Sequence, residues 1–145
     1  MADLSITAAN VLAASGTRIT WGTAGATLTA GKAVYMDAAD SNKLKACRSN
    51  TATRAACVGI ALADAASGQP IPYAAADGTN LNVGATLAVG VLYAVSPTGT
   101  GNSGHICPVA DVVAEGTGNY VSTLGVATNT SNLKLRIENS GVALA

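Results

Sequence analysis

Phenylalanine is absent from this 145-residue chain, histidine occurs once, and only 11% of residues are charged. Average soluble domains carry roughly 25% charged residues. Basic and acidic side chains balance at eight each, so the chain lacks the basic footprint by which proteins hold bare DNA or RNA. No apolar run reaches the 18 or so residues of a membrane-spanning helix. Met1-Ala2-Asp3-Leu4 offers neither a basic nor an apolar leader region, so no secretory signal is expected. The three cysteines, Cys47, Cys57 and Cys107, are an odd number with no Cys-x-x-Cys pair. They make a poor disulfide framework and suit a reducing compartment.

Hydrophobic residues nonetheless make up 49% of the chain, mostly Ala and Val, with aromatic surface only at Trp21, Tyr35, Tyr73, Tyr93 and Tyr120. A core of small and β-branched side chains buries less area per residue, and a charge-poor surface protects weakly against association. Both point to a protein that finishes its stability by docking; a compact monomer with a Ser-, Thr- and Asn-rich surface is the alternative.

Sixteen glycines and clusters of Asn, Asp, Ser and Thr interrupt short apolar runs, the pattern of a small barrel or sandwich. No stretch has clean helical spacing; Asp64-Ala65-Ala66-Ser67-Gly68 is long enough for one turn at most. An internal repeat organises the runs. Gly25-Ala26-Thr27-Leu28 recurs as Gly84-Ala85-Thr86-Leu87, each followed by a glycine three residues after the leucine and then by a tyrosine. Lys45-Ala46-Cys47-Arg48 aligns with His105-Ile106-Cys107-Pro108, and Val58-Gly59-Ile60-Ala61-Leu62 with Leu124-Gly125-Val126-Ala127-Thr128.

Each half then reads as about five short strands, near 25–30, 32–37, 43–48, 56–63 and 69–75, and near 84–89, 91–96, 105–110, 121–128 and 132–138. The second glycine of each Gly-x-x-Leu-x-x-Gly phrase is expected at positive φ in a tight turn. Leu133, Leu135 and Ile137 alternate with Lys134 and Arg136, so the apolar set faces a core. The expected fold is all-β, a small barrel or jelly-roll-like sandwich with two similar halves. Residues 1–20 form an N-terminal arm or edge strand, and residues 21–145 the β domain, with the repeat at about 25–75 and 84–138.

Candidate chemistry is sparse. His105 would need a nucleophile such as Ser103 or Cys107 and an orienting carboxylate to form a triad; its repeat-mate is Lys45, which reads more simply as a polar strand position. Cys47 and Cys107 align, as small buried hydrophobes would, and one histidine cannot complete the common structural zinc sets. Asp37-Ala38-Ala39-Asp40-Ser41-Asn42 gathers oxygens but lacks the Gly and distal Glu of a calcium loop; a hairpin turn accounts for it. Ser96 to Gly104 is Gly-rich without a lysine partner and reads as a flexible loop. Asn129-Thr130-Ser131 is not a meaningful glycosylation site without a secretory signal. No catalytic residue, cofactor or metal is expected.

Gly-Lys-Ala-Val-Tyr-Met-Asp at 31–37, Val-Gly-Ile-Ala-Leu at 58–62, Gly-Val-Leu-Tyr-Ala-Val-Ser at 90–96, His-Ile-Cys-Pro-Val-Ala-Asp at 105–111 and Leu-Gly-Val-Ala-Thr at 124–128 resemble short virion proteins of tailed bacteriophages, of the capsid decoration or cement type. The resemblance covers roughly residues 20–140. It implies a β-barrel or jelly-roll-like fold on the outer capsid surface, made in the host bacterial cytoplasm, that clamps neighbouring major capsid subunits after the shell expands. It carries no active-site motif.

On that reading the chain is not an enzyme, binds no nucleic acid or membrane, and forms a homo-oligomer, with a dimer favoured. Leu4, Ile6, Val11 and Leu12, outside the repeat and without partners in it, are candidate capsid or self-association contacts, together with Trp21. The alternatives are another virion part (head fibre, tail or baseplate) or a carbohydrate-binding β module. No coiled or β-helical segment supports a fibre, and the five aromatics are a thin supply for a sugar site.

Overall fold

In a computed structural model, described over residues 3–75, 78–98 and 103–145, the chain is all-β. An edge strand, β1 (Val11–Ala13), is followed by two sets of five. The first set is β2 (Ile19–Thr23), β3 (Ala33–Asp37), β4 (Lys43–Ala46), β5 (Cys57–Ala61) and β6 (Pro70–Ala75). The second is β7 (Asn80–Val83), β8 (Leu92–Val95), β9 (Ile106–Pro108), β10 (Tyr120–Ala127) and β11 (Asn132–Ala143). Each set makes its own antiparallel sheet, in the order β2-β6-β5-β3-β4 and β7-β11-β10-β8-β9, with β1 added outside β7. The two orders are the same topology, so the repeat in the residues is a repeat of whole half-domains.

Register carries the repeat to single residues around its two central glycines, but elsewhere it shifts the alignment read from the sequence: Tyr93 takes the place of Val34, not of Tyr35, and Cys107 that of Lys45, not of Cys47. Val34 pairs with Gly59 and Tyr93 with Gly125, and both ladders break at the adjacent position, beside Val58 and Leu124. Glycine is required at both bulges. A Cβ on Gly59 would lie 2.4 Å from the Ala74 carbonyl oxygen, and one on Gly125 would lie 1.9 Å from that of Lys134. Gly31 and Gly90 both take positive φ, 91° and 81°, as their place after Leu28 and Leu87 implies.

The expected strands at 25–30 and 84–89 are not formed. Leu28 makes only an isolated bridge to Ala65, and the fifth strand of each half is β2 or β7, immediately upstream. After β2 the chain bends inward instead of pairing on: Ala24 N donates to Gln69 O and Gly25 N to Leu44 O, each at 2.8 Å. The first sheet is thereby curled until its first strand meets its last. Leu28 and Leu87, at 1% and 3% exposure, plug the concave side of their respective halves.

Two short helices also escape the strand reading. They are α1 (Ala52–Ala55) and α2 (Val109–Glu115), each between the third and fourth strands of its half. Thr51 caps α1 through Arg54 N, as N-cap threonines do. In α2, Val109 and Val112 pack with Ala94 and Cys107 while Val113 faces out; Gly116, at φ 80°, ends it.

The concave side of the first half encloses Ala24, Leu28, Val34, Leu44, Ala46, Ala61, Ala65, Ile71 and Tyr73. The concave side of the second half, around Leu87, Tyr93, Ile106, Leu124, Leu133 and Leu135, belongs to a larger cluster that includes Ala33, Tyr35, Cys47, Cys57, Ile60 and Ala74. The convex face of the first half therefore packs into the second. Polar bonds follow the seam: Gly104 N to Cys47 O, Tyr120 N to Ser49 O, Asn139 Nδ2 to Cys57 O and Ser122 Oγ to Ala55 O.

The N-terminal segment is not a free arm. Leu4 N donates to Ile106 O on β9, and Thr7 N to Gly84 O after β7, both at 2.8 Å. Leu4, Ile6 and Val11 pack on the shared core, and Val11 pairs with Val83. The segment does for the second sheet what Gly25 does for the first: it meets β9 at Ile106, the position matching Leu44.

Two outcomes follow. Gly59→Ala and Gly125→Ala should each cost about 1–3 kcal/mol or more, the scale of forced overpacking, read as a lowered denaturant midpoint. Deleting residues 2–12 should abolish the cooperative unfolding transition, whereas Leu12→Ala should change stability by no more than about 0.5 kcal/mol.

Candidate interaction surfaces

The five candidate contacts divide by position. Leu4, Ile6 and Val11 are half-buried against the protein's own core. Leu12 and Trp21 stay on the surface, 69% and 66% exposed. They do not form one patch by strand adjacency. Leu12 lies opposite Asn82 at the edge of one sheet, and Trp21 opposite Pro72 at the edge of the other.

Two surface features were missed from the residues. Ile19, 51% exposed, shares the outward face of β2 with Trp21; the alternation in Ile19-Thr20-Trp21 was the available signal. On the convex face of the second sheet, Leu92 and Val126 are register partners in a shallow groove of about 280 Å³, flanked by Thr123, Lys134, Arg136 and Glu138. No signal marked this groove, because the equivalent pair in the first half, Ala33 and Ile60, is fully buried. A larger open depression, about 620 Å³, lies beside β1 and presents hydroxyl and amide groups of Ser5, Thr7, Asn10, Asn82, Thr86 and Ser131.

The titratable groups are organised differently from any triad. His105 Nδ1 lies 3.0 Å from Asp3 Oδ2, and the Thr98 hydroxyl donates to that same carboxylate oxygen. The Ser103 hydroxyl donates to Thr98 O at 2.7 Å. Cys107 is buried beneath α2. The nearby hydroxyls thus bond a carboxylate or a carbonyl, and neither is bonded to the imidazole that would have to activate it. Of the Gly-rich stretch beside this group, residues 99–102 lie outside the described residues.

The oxygen-rich turn after β3 is a 3-10 turn (Ala38–Asp40) in which Asp37 accepts from Ala39 N. Lys45 Nζ lies 2.7 Å from Asp37 Oδ2 and 3.2 Å from Asp40 Oδ2. The ammonium thus bridges the two carboxylates of the turn. Its hydrogen bonds hold both carboxyls below their ordinary range, and Asp37 and Asp40 in turn hold the Lys45 ammonium above its own.

All three cysteines are free and buried. The two cysteines that align in sequence are not equivalent in the ladders, where Cys107 holds the place of Lys45: Cys47 lies in the shared core and Cys107 under α2. Burial raises both thiols, Cys107 to about 12, which leaves almost no thiolate at neutral pH.

A thiol reagent at neutral pH should therefore label none of the three cysteines in the folded protein and all three after denaturation. In NMR titrations of Lys45→Met, Asp37 and Asp40 should both move up toward the ordinary aspartate value, about 3.9. Because their folded pKa is depressed, the stability they contribute is present above that unfolded value and is lost as pH falls through the folded one. The variant should therefore show less loss of stability on acidification below about pH 4 than the parent.

Comparison with protein-family models finds no match for this chain, and a search of characterised proteins finds none either.

Proposed function

We propose that the protein is a structural component of a tailed-phage virion that binds the outside of the capsid and bridges major capsid subunits, working by docking and not by catalysis. One observation carries this reading. Leu12 and Val126 remain exposed at 69% and 41% in a molecule whose own core is already closed. Folding does not require them, and a partner covering them would remove their apolar surface from water. Both lie on the six-stranded sheet, Leu12 at its edge and Val126 beside Leu92 in the shallow groove. Lys134, Arg136 and Glu138 around that groove supply a polar rim, the usual anatomy of a protein–protein contact. The resemblance of the repeated phrases to decoration proteins supports the same partner.

Mixing the purified protein with expanded phage heads that lack it, then sedimenting the heads, tests the proposal. The protein should pellet at a fixed stoichiometry. Leu12→Glu combined with Val126→Glu should abolish pelleting without altering the folded spectrum. Wild-type protein that stays in the supernatant would overturn the reading.

A further inference from the structure

The sheet edges are managed unequally. The edge of β4 accepts Gly25 and that of β9 accepts Leu4. β1 is only three residues long, and short edges resist pairing with other chains. β2 has none of these protections over Ile19–Trp21, and it contains no charged residue.

The direction of its backbone groups follows from β6. The carbonyl of Pro72 accepts from Leu62, and that of Ala74 points at Gly59, so both face β5. Ile71 and Tyr73 must then face β2, where their register partners are Gly22 and Thr20. Alternation leaves the N–H and C=O of Ile19, Trp21 and Thr23 on the outer edge. At the Thr23 end this edge runs into β4, since Ala24 bridges Leu44. The open part is Ile19–Trp21. The same two residues turn their side chains to the convex face, beside the proline rings of the neighbouring strand, and are 51% and 66% exposed.

We propose that a second copy of this chain pairs with this edge, antiparallel across a two-fold axis, with Ile19 of each copy opposite Trp21 of the other. The register is self-complementary. Both residues present an outward N–H and C=O, so each Ile19–Trp21 pair exchanges two hydrogen bonds, and no unpaired group is left within the contact. On the convex side, Trp21 of one copy covers Ile19 of the other, an aromatic on a β-branched side chain, which is a favourable cross-strand pair. Two-fold closure also stops growth at the dimer. A partner strand of unrelated sequence would satisfy the backbone equally, but it would need its own apolar pair at the same spacing; this chain supplies that pair itself. The contact is separate from the groove on the six-stranded sheet and does not depend on the capsid reading.

Sedimentation equilibrium across the micromolar range, combined with hydrogen exchange, tests the proposal. The wild type should reach a dimer in which the Ile19 and Trp21 amides are protected along with those of Thr20 and Gly22. Trp21→Lys, which sets two ammonium groups near the axis, should weaken dimerisation about tenfold or more, equivalent to 1.4 kcal/mol. It should expose the amides of residues 19 and 21 while those of Thr20 and Gly22 stay protected. Ile19→Pro is the second variant: it removes an N–H the monomer does not use and should weaken the dimer, while melting curves recorded at concentrations where both proteins are monomeric coincide. A wild-type monomer throughout, or a dimer in which Ile19 and Trp21 exchange freely, would overturn the proposal.

Discussion

The structure depends on one packing contact, the convex face of the first half pressed into the concave side of the second. A chain without phenylalanine has few large side chains with which to fill either half from within, Tyr73 in the first and Tyr93 in the second. It fills the second half with part of the first: Ile60, Tyr35 and Ala74 stand in the same core as Leu124, Leu133 and Tyr93. This contact sets which faces are apolar. Topologically equivalent residues on the convex sides, Ile60 and Val126, or Ala74 and Lys134, share their ladder positions and have opposite fates. The first of each pair is completely buried and the second faces water. Identical half-domains stacked in this way cannot keep identical surfaces.

That asymmetry was written in the residues. The stretch Cys57-Val58-Gly59-Ile60-Ala61 is apolar throughout, as a strand covered on both faces must be. Leu133-Lys134-Leu135-Arg136-Ile137 alternates, as a strand with one wet face does. The repeated glycines were legible for a related reason. Gly59 and Gly125 recur because a backbone carbonyl passes where a Cβ would be, a constraint no other residue meets. What composition could not supply was direction. Gly25-Ala26-Thr27-Leu28 has the residues of a strand, but its groups are spent crossing between β6 and β4 and inserting Leu28, so the true strand lies upstream. α2 was obscured because Val109, Val112 and Val113 favour strands in isolation; the helix forms where burial of Val109 and Val112 under its own sheet outweighs that preference.

The N-terminal segment shows why position outside a repeat does not imply freedom. The first half closes with its own Gly25. In the second half the repeat counterpart, Gly84, bonds differently: its N–H goes to Asn82 Oδ1 and its carbonyl receives Thr7. Residues 4–7 complete the second sheet from the other end of the chain. They show no sequence period because they make single hydrogen bonds to two different strands and no continuous ladder. Leu4 and Ile6 are apolar for the core's sake, so of the five apolar residues singled out for contact only Leu12 and Trp21 are left for others.

The accessible surface, 6586 Å², is close to the roughly 6,800 Å² expected for a compact monomer of this mass. Scarcity of charge is therefore not compensation for an unfinished fold. The small-residue core closes on itself, and the charge-poor exterior is a separate property that has to be explained by what the exterior meets. Among its exposed apolar groups, Leu12 and Val126 on the six-stranded sheet and Ile19 and Trp21 on β2 sit where the repeat leaves something over: the convex face of the second half, which has no third half to cover it, and the outer edge of β2, where the first half stops short of complete closure; Met36, Val89, Val113 and Val142 lie elsewhere. Duplication of a half-domain that packs face into back necessarily ends with one unused face and one unused edge. A protein built this way carries an uncovered face and an uncovered edge as a consequence of its architecture, and the residues at those two ends decide whether they are blocked or open. Lys134 and Arg136 moderate the face; β2 itself carries no charge, and the charged residue next to Ile19 and Trp21 in sequence is Arg18, just before the strand.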